Sequence, residues 1–423
     1  MGMDNLKIFL SSKRMWVVLL MGFSSGLPFL LTGGTLKLWL AREHVDISTI
    51  GYFTAVASAY SLKVFWAPLV DRYKLFFFGR RRSWILLTQI LIALGLFQMA
   101  ALDPHTSLSM MALVAVGIAF FSATQDIAID AYRREILDDE EMGLGSTLTQ
   151  YGYRIAMLIS GGVGVGIVAE EGQSGLTWNH LYIIMGVCMI LMMLVTMWAP
   201  EPKGDVHAPK TLTAAVIEPF KDFFSRDRSL FILLFVFLFK LGDAIGGSML
   251  NPFYVEMGYT NPEIALIAKT VGLVASLAGL LIGGLVIFKL GINRSLWIFG
   301  ILQALATAGF SLITFTGHQI WALGVTVIFE DIAVGMGSAA FIAYLATITN
   351  KKFTGTQFAL LSAVATSGRN IVSVVAGVMV KELGWAQFFW ASALLGIPGL
   401  VMLWFIQNHQ TSEENQLSEQ SRA

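Results

Sequence analysis

The chain has 423 residues, 56% of them hydrophobic and 13% charged, with 28 basic side chains against 28 acidic ones. Soluble domains carry about 25% charged residues, so a mean hydropathy of +0.69 excludes a fold solvated by water alone and calls for a lipid solvent. The balanced charge offers no footing for nucleic acid, and the one cysteine, Cys188, set in an apolar run, excludes a disulfide framework and a cysteine-based metal site.

A bilayer core of ~30 Å needs about 20 apolar helical residues per crossing. The first such run, 16–39, follows Lys13 and Arg14; it is too long for a signal-peptide core and no small-residue cleavage site closes it, so it reads as an uncleaved first span. Runs of similar length recur at 47–68, 83–101, 108–132, 146–169 and 180–199. After a polar gap they resume at 230–253, 264–287, 295–316, 320–348, 357–380 and 385–406. Lipid cannot satisfy backbone amides, and these Gly-rich runs do not alternate as barrel strands do. The expectation is an all-α membrane protein of about twelve transmembrane helices. It divides into a six-helix half over 1–199, a cytoplasmic linker over 200–229, a second six-helix half over 230–407 and a polar, disordered cytoplasmic tail over 408–423. Inside the linker, 212–224 has an amphipathic pattern suited to a membrane surface.

Basic residues fix the expected orientation. With both termini cytoplasmic, the inside segments include Lys13, Arg14, Arg80, Arg81, Arg82, Arg133, Arg134, Lys210, Lys221, Arg226, Arg228, Lys351 and Lys352, whereas the outside segments carry only Arg42 and Lys381. The two six-span halves match the plan of the major facilitator fold, in which parallel-repeat halves rock around a midplane site. Asp71-Arg72-Tyr73 followed by Gly79-Arg80-Arg81-Arg82 resembles that superfamily's cytoplasmic-loop signature. Gly284 and Lys289-Leu290-Gly291 through Arg294 form a decayed echo in the second half, with Phe288 where the aspartate would stand.

Ionisable side chains at mid-span cost about 3 kcal/mol or more each on insertion scales, which makes them functional suspects. Asp126 and Asp130 share a helix face, with Gln125 adjacent. Lys240 and Asp243 stand i, i+3 and read either as functional groups or as a self-neutralising structural pair. Glu330 and Asp331 diverge by about 100° on a helix, so at most one points straight at a central cavity. Arg369, Arg154 and Lys63 complete the set. Asp130, Arg133, Asp71 and Arg72 are expected to form a latch that gates the conformational cycle, and Lys269 is expected to snorkel. The glycines of 161–166 read as helix-packing surface, and the histidines as surface residues. No P-loop and no metal-ligand spacing is present, so neither ATP nor a resident cofactor is expected, and no nucleophile–base constellation suggests an enzyme.

Longer motifs carry a family resemblance. Met21-Gly22-Phe23-Ser24-Ser25-Gly26-Leu27-Pro28, Leu62-Lys63-Val64-Phe65-Trp66-Ala67-Pro68 and Ala123-Thr124-Gln125-Asp126-Ile127-Ala128-Ile129-Asp130-Ala131-Tyr132-Arg133 resemble the AmpG muropeptide permeases. So do Gly152-Tyr153-Arg154, Lys240-Leu241-Gly242-Asp243-Ala244, Phe329-Glu330 and Thr356-Gln357-Phe358-Ala359. The resemblance implies proton-driven import of cell-wall turnover products across a bacterial inner membrane, the cargo being N-acetylglucosaminyl-anhydro-N-acetylmuramic acid and its peptide-bearing forms. It also implies that Lys63, Gln125, Asp126, Asp130, Arg154, Lys240, Asp243, Glu330 and Arg369 are the intramembrane polar set. Asp331 departs from the family pattern. A sugar with several carboxylates wants cations (Lys63, Arg154, Lys240, Arg369), polar contact (Gln125) and aromatic planes (Trp66, with Tyr60 and Tyr153). Proton coupling is expected at Asp126 or Glu330, with Asp243 next. Relatives with other cargo, a siderophore or a coenzyme A thioester, keep the substrate open, and a sensor that binds without transport is the alternative of another class.

Overall fold

Backbone amides in hydrocarbon must be satisfied within their own segment, and the computed structural model of the chain is accordingly helical. It describes residues 12–45, 49, 53–75, 79–169, 175–202, 211–260 and 263–407. Among these the sole β feature is the isolated bridge Val168–Leu176. Among the described residues nine helices are long and apolar enough to cross a membrane: Lys13–Arg42, Arg80–Ala100, Leu108–Ile136, Trp178–Trp198, Ser229–Glu256, Leu266–Leu290, Ile292–Thr316, Ile320–Ile348 and Trp385–Gln407. The other three expected crossings are also helical. Residues 53–72 alternate 3-10 turns with the short helices Ser58–Leu62 and Ala67–Arg72, Met142–Met157 runs into a π-helical stretch Leu158–Val163, and Thr354–Leu383 is one helix of 30 residues. The tail beyond 407 lies outside the described residues.

The helices that position the polar residues are α1 (Lys13–Leu31), α2 (Arg80–Ala100), α3 (Leu108–Ile136), α4 (Met142–Met157), α5 (Trp178–Trp198), α6 (Leu212–Phe224), α7 (Gly272–Leu290), α8 (Ile292–Gly309), α9 (Ile320–Ile348) and α10 (Thr354–Leu383). The chain forms two units. The first comprises Met1–Pro219 with Ala346–Ala359, the second Phe220–Leu345 with Leu360–Ala423. Helix α10 therefore starts in the first unit and continues in the second.

In the first unit α1 and α4 cross with their backbones touching. A Cβ added at Gly152 would fall 1.9 Å from the Leu19 carbonyl oxygen, and one at Gly22 would fall 2.0 Å from that of Thr149. Without a hydrophobic drive between helices in lipid, this close approach is where dispersion contacts are gathered. Leu27, Leu96, Met111, Ile118, Leu181 and Met189 fill the adjoining core, capped by Trp39 stacked on Trp178 at 6.4 Å. Within the π-helical stretch, Gly161 makes room for Leu30. In the second unit the same device joins α7 to α9: a Cβ at Gly279 would meet the Ile332 carbonyl oxygen at 2.3 Å. Phe253, Phe310, Phe388 and Phe389 form the aromatic centre, with Phe253 edge-on to Phe389 at 4.9 Å.

Two spans are broken where a lysine enters. Lys63 opens the 3-10 turn Lys63–Phe65, and Lys240 sits between the helices Ser229–Leu238 and Leu241–Ser248. Discontinuous spans of this kind line transport sites in other folds. The close crossings give a direct test. Gly152→Ala should lower thermal stability in detergent by about 1–3 kcal/mol, the cost of overpacking. Gly324→Ala, with nothing within 4 Å of the added methyl, should leave the melting temperature unchanged by differential scanning fluorimetry.

Candidate functional site

The mid-span polar residues of the first unit gather around α3. Lys63 Nζ lies 3.9 Å from Asp126 Oδ2, with the two side chains only 12% and 13% exposed. Ser25 of α1 donates its hydroxyl to Asp126 Oδ1 at 2.5 Å. Gln125, one step round the helix, is fully buried and donates from Nε2 to Ser24 Oγ at 2.6 Å, while Gln89 donates to the same oxygen at 2.9 Å. Gln125 Oε1 is buried with no hydrogen-bond partner. The aromatics line the same region. Tyr60 donates to Ser122 Oγ at 3.0 Å, and the Trp66 indole donates to Thr124 Oγ1 at 3.0 Å while packing on Phe120 at 4.8 Å. Phe29 lies between Tyr60 and Tyr153, 5.3 and 6.1 Å from their rings, and Arg154 follows Tyr153 on α4, half-buried.

A second set sits in the other unit. Lys240 Nζ lies 3.4 Å from Asp243 Oδ2 and donates to Ser338 Oγ of α9 at 3.2 Å. Glu330 is 6% exposed; its Oε1 accepts the Thr307 hydroxyl of α8 at 3.2 Å. Asp243, Asp331 and Lys240 lie within electrostatic reach of that carboxyl group. The expected divergence of Glu330 and Asp331 is visible in their neighbours: Glu330 meets α8, whereas Asp331 lies over Gly272, where an added Cβ would fall 2.4 Å from Oδ2. Buried Gln303 and Thr307 line a small cavity with Asp243 and Ser392. The side chains of Arg369 and Lys269 lie outside the described residues.

The third set surrounds Asp71 in the first unit. The Asp71 carboxylate is fully buried. Its Oδ1 accepts from Arg81 Nη2 at 2.8 Å and from the Gly355 N–H at 3.0 Å; Oδ2 accepts the Thr356 N–H at 2.7 Å and the Thr356 hydroxyl at 2.6 Å. The first amides of α10 have no intrahelical acceptor and carry the positive end of the helix dipole, so an anion is well placed there. Arg81 also reaches Glu135 at 2.6 Å, the Val70 carbonyl at 3.1 Å and Thr354 Oγ1 at 2.8 Å, and Arg80 reaches Glu135 at 3.1 Å. Gly79, at φ +87°, turns the chain into α2, where the Glu201 carboxylate accepts the Arg80 N–H at 3.0 Å. Burial pushes the Glu201 carboxyl up from its ordinary value, partly opposed by the Arg82 guanidinium. Arg82 in turn donates to the Thr196 and Met197 carbonyls that end α5.

The sequence grouped Asp71, Arg72, Asp130 and Arg133 as one latch. The structure puts Asp71 with Arg81 instead. Asp130 and Arg133 form their own i, i+3 pair at 3.0 Å, with the Arg133 guanidinium over the Phe358 ring, and Arg72 lies over the Tyr73 ring. Arg81, Glu135, Thr354, Thr356, Ser24, Ser25 and Gln89 were not singled out. Arg81 had a signal in the triplet after Gly79, and Ser24, Ser25 and Thr356 stand within the motifs of the family resemblance; Glu135, Thr354 and Gln89 had no signal.

Fold and buried polar spans together define a multi-pass membrane transporter rather than an enzyme. Residues 18–342 match the Major Facilitator Superfamily, and the chain belongs to that family. It is 43% identical over 404 residues to the "Anhydromuropeptide permease" of Escherichia coli (strain K12), covering 95% of this chain and 81% of the relative. It is 36% identical over 408 residues to "Putative transporter AmpG 4" of Rickettsia conorii, covering 95% and 98% of the two chains. Among solved structures, the proton:xylose symporter XylE shares the fold at a TM-score of 0.69 and 13% identity, covering 93% of this chain and 94% of that one.

Removing one partner of a buried ion pair costs about 3–5 kcal/mol. Asp71→Asn should therefore lower the melting temperature of the purified protein markedly, whereas Arg72→Ala should change it little. Equal shifts for both would show that Arg72 matters to stability as much as Asp71 does.

Proposed function

We propose that the chain is a proton-coupled importer of anhydro-muropeptides, seated in a bacterial inner membrane with both termini cytoplasmic. Similarity to the Escherichia coli permease over 95% of the chain carries the reading. The excess of Lys and Arg in the segments assigned to the inside supports the orientation. Twelve spans in two halves, 1–199 and 230–407, remain our working division of the sequence.

The buried charges suit this cargo. A muropeptide brings carboxylates and sugar faces, and each unit offers a lysine held at a helix break. Lys63 pairs with Asp126 of α3, the helix whose Ser122 and Thr124 accept from Tyr60 and Trp66, and Lys240 stands beside Ser338. We assign Lys63, Gln125, Trp66, Arg154, Lys240 and Arg369 to substrate. The unpartnered Gln125 Oε1 is an acceptor free for a cargo hydroxyl or amide. Asp126 is held by Lys63 and Ser25, an arrangement suited to fixing the position of the lysine. Glu330 has, among the described residues, a hydroxyl as its hydrogen-bond partner and no cation within ion-pair distance. A carboxyl group in that setting is the natural proton carrier, because its protonated form loses far less to burial than its ionised form, which needs water that a conformational change admits. Asp243, paired with Lys240, is the next carrier in line. The Asp71 network, with Asp130 and Arg133, is assigned to the conformational cycle.

Proteoliposomes loaded at neutral pH and placed in acid medium should accumulate labelled N-acetylglucosaminyl-anhydro-N-acetylmuramyl tripeptide, and a protonophore should abolish the accumulation. No uptake, with competition by a coenzyme A thioester or a siderophore in binding assays, would assign another cargo. Binding without flux would assign a sensor. Within the leading reading, Glu330→Gln should retain substrate counterflow while losing gradient-driven accumulation at least about tenfold, a difference of about 1.4 kcal/mol. Asp126→Asn should instead raise the KM and keep coupling. If accumulation survives in Glu330→Gln and fails in Asp126→Asn, the proton belongs to Asp126.

A further inference from the structure

Between the helix Leu241–Ser248, α8 and the helix Trp385–Leu394, the second unit holds a cavity of about 10 Å³, the room of one water molecule. Its polar lining is Asp243, Gln303, Thr307 and Ser392, and Phe239 and Leu400 are among its apolar walls. Gln303 is only 5% exposed, and its Nε2 is buried with no hydrogen-bond partner among the described residues. The amide lies over Gly337 of α9, where an added Cβ would fall 2.3 Å from Oε1 and 2.9 Å from Nε2. No side chain at that position of α9 can therefore answer it. An amide donor left in that state costs stability, and native folds answer such donors with protein or with water.

The other lining groups offer acceptors. Ser392 donates its hydroxyl to the Phe388 carbonyl at 2.8 Å, and Thr307 donates to Glu330 Oε1 at 3.2 Å, which leaves lone pairs on both hydroxyl oxygens. Lys240 holds Asp243 through Oδ2 at 3.4 Å, and an ionised carboxylate has further lone pairs to give. One water matches this set. It accepts from Gln303 Nε2 and donates to the Asp243 carboxylate and to Thr307 Oγ1, about three bonds, as buried waters usually make. A cation would not match, because hard cations bind oxygen and the open group is an N–H donor.

We propose that this cavity is the seat of one bound water, positioned by Gln303, that joins Asp243 to Thr307 and through Thr307 to Glu330. On the reading that Glu330 and Asp243 carry protons, the water completes a relay between them. The Asp243 proton passes to the water, a water proton to Thr307 Oγ1, and the Thr307 proton to Glu330. At each of the two relaying oxygens one O–H bond forms and one breaks. The step ends with Glu330 protonated and Asp243 ionised beside Lys240, and no other reactant is consumed. Gln303 exchanges no proton in this scheme and is a positioning residue.

X-ray radiolysis of the full chain in phospholipid nanodiscs, followed by mass spectrometry, tests the water directly, because hydroxyl radicals made from a bound water oxidise the side chains beside it. Phe239 and Leu400 are the reporters, and Phe389, buried in the aromatic centre, is the control. Corrected for side-chain reactivity, oxidation at 239 and 400 should exceed that at 389 at least about fivefold and fall to the control level in Gln303→Leu. Equal oxidation at all three positions, or oxidation unchanged in Gln303→Leu, would overturn the site. Should that variant fail to fold, Thr307→Val supplies the same comparison, and the wild-type rates alone decide whether water is present. In proteoliposomes Gln303→Leu should slow gradient-driven accumulation at least about tenfold while counterflow and KM stay within about twofold. A packing defect would slow both. Accumulation at the wild-type rate would overturn the relay, and accumulation that follows a sodium gradient would overturn it in favour of a bound cation. Failure of the underlying reading shows separately, as no uptake at all or as full accumulation in Glu330→Gln, and neither alters the oxidation pattern.

Discussion

A charge buried away from water has to be answered by the chain itself. Three clusters in this protein answer that demand in different ways. Asp71 is answered completely: its two oxygens take a guanidinium, two backbone amides and a hydroxyl, so both lone-pair directions of each oxygen are used. Asp126 is answered partially, by a lysine at 3.9 Å and one hydroxyl, and it keeps 13% of its side chain accessible. Among the described residues Glu330 is answered least, by a threonine hydroxyl at 3.2 Å. That gradation follows from which groups can be moved. Backbone amides at a helix start are fixed and strong, a lysine on a 3-10 turn is adjustable, and a hydroxyl serves a protonated or an ionised carboxyl group alike.

The glycine crossings supply the rigid frame against which those adjustable groups work. Where Gly22 and Gly152 bring α1 and α4 into backbone contact, neither helix can rotate without a clash, and Ser24 and Ser25 are carried on the same stretch of α1. The serines therefore present hydroxyls to Gln125 and Asp126 from a fixed platform. Lys63 and Lys240, by contrast, stand where the helical hydrogen-bond ladder is interrupted. Interruption at membrane depth is costly unless the freed carbonyls and amides find partners, and two broken spans that each deliver a half-buried lysine make chance an unattractive explanation.

Local relations were legible in the sequence and tertiary ones were not. The apolar runs, the bounds of α6, the Lys240–Asp243 pair and the divergence of Glu330 from Asp331 all follow from helical spacing over a few residues. The partner of Asp126 did not, because Lys63 is brought to it by the packing of a broken span on α3 rather than by any periodicity. The Asp71 network was half visible. The arginine triplet announced a cation, but which of Arg72, Arg80 and Arg81 would turn inward depended on Gly79 setting the start of α2. Thr354 was invisible and Thr356 showed only as the start of a family motif: a hydroxyl that finishes a charged network carries no physical signature apart from the fold that delivers it.

The Asp71 network also shows why its composition is constrained as a whole. Arg80 and Arg81 stand against Asp71 and Glu135, two cations against two anions, with the amides of α10 adding partial positive charge. Removing either acid leaves a guanidinium surplus in a site with no water to disperse it, and removing Arg81 leaves two carboxylates facing one another across its former position. Neither change can be compensated by a neighbouring side chain, because Glu135 Oε1 already accepts from Arg80, Arg81 and Thr354. The network is thus saturated at the atoms that meet Arg81, where Asp71 and Glu135 Oε1 each accept several donors at once, so that each member's position depends on the others.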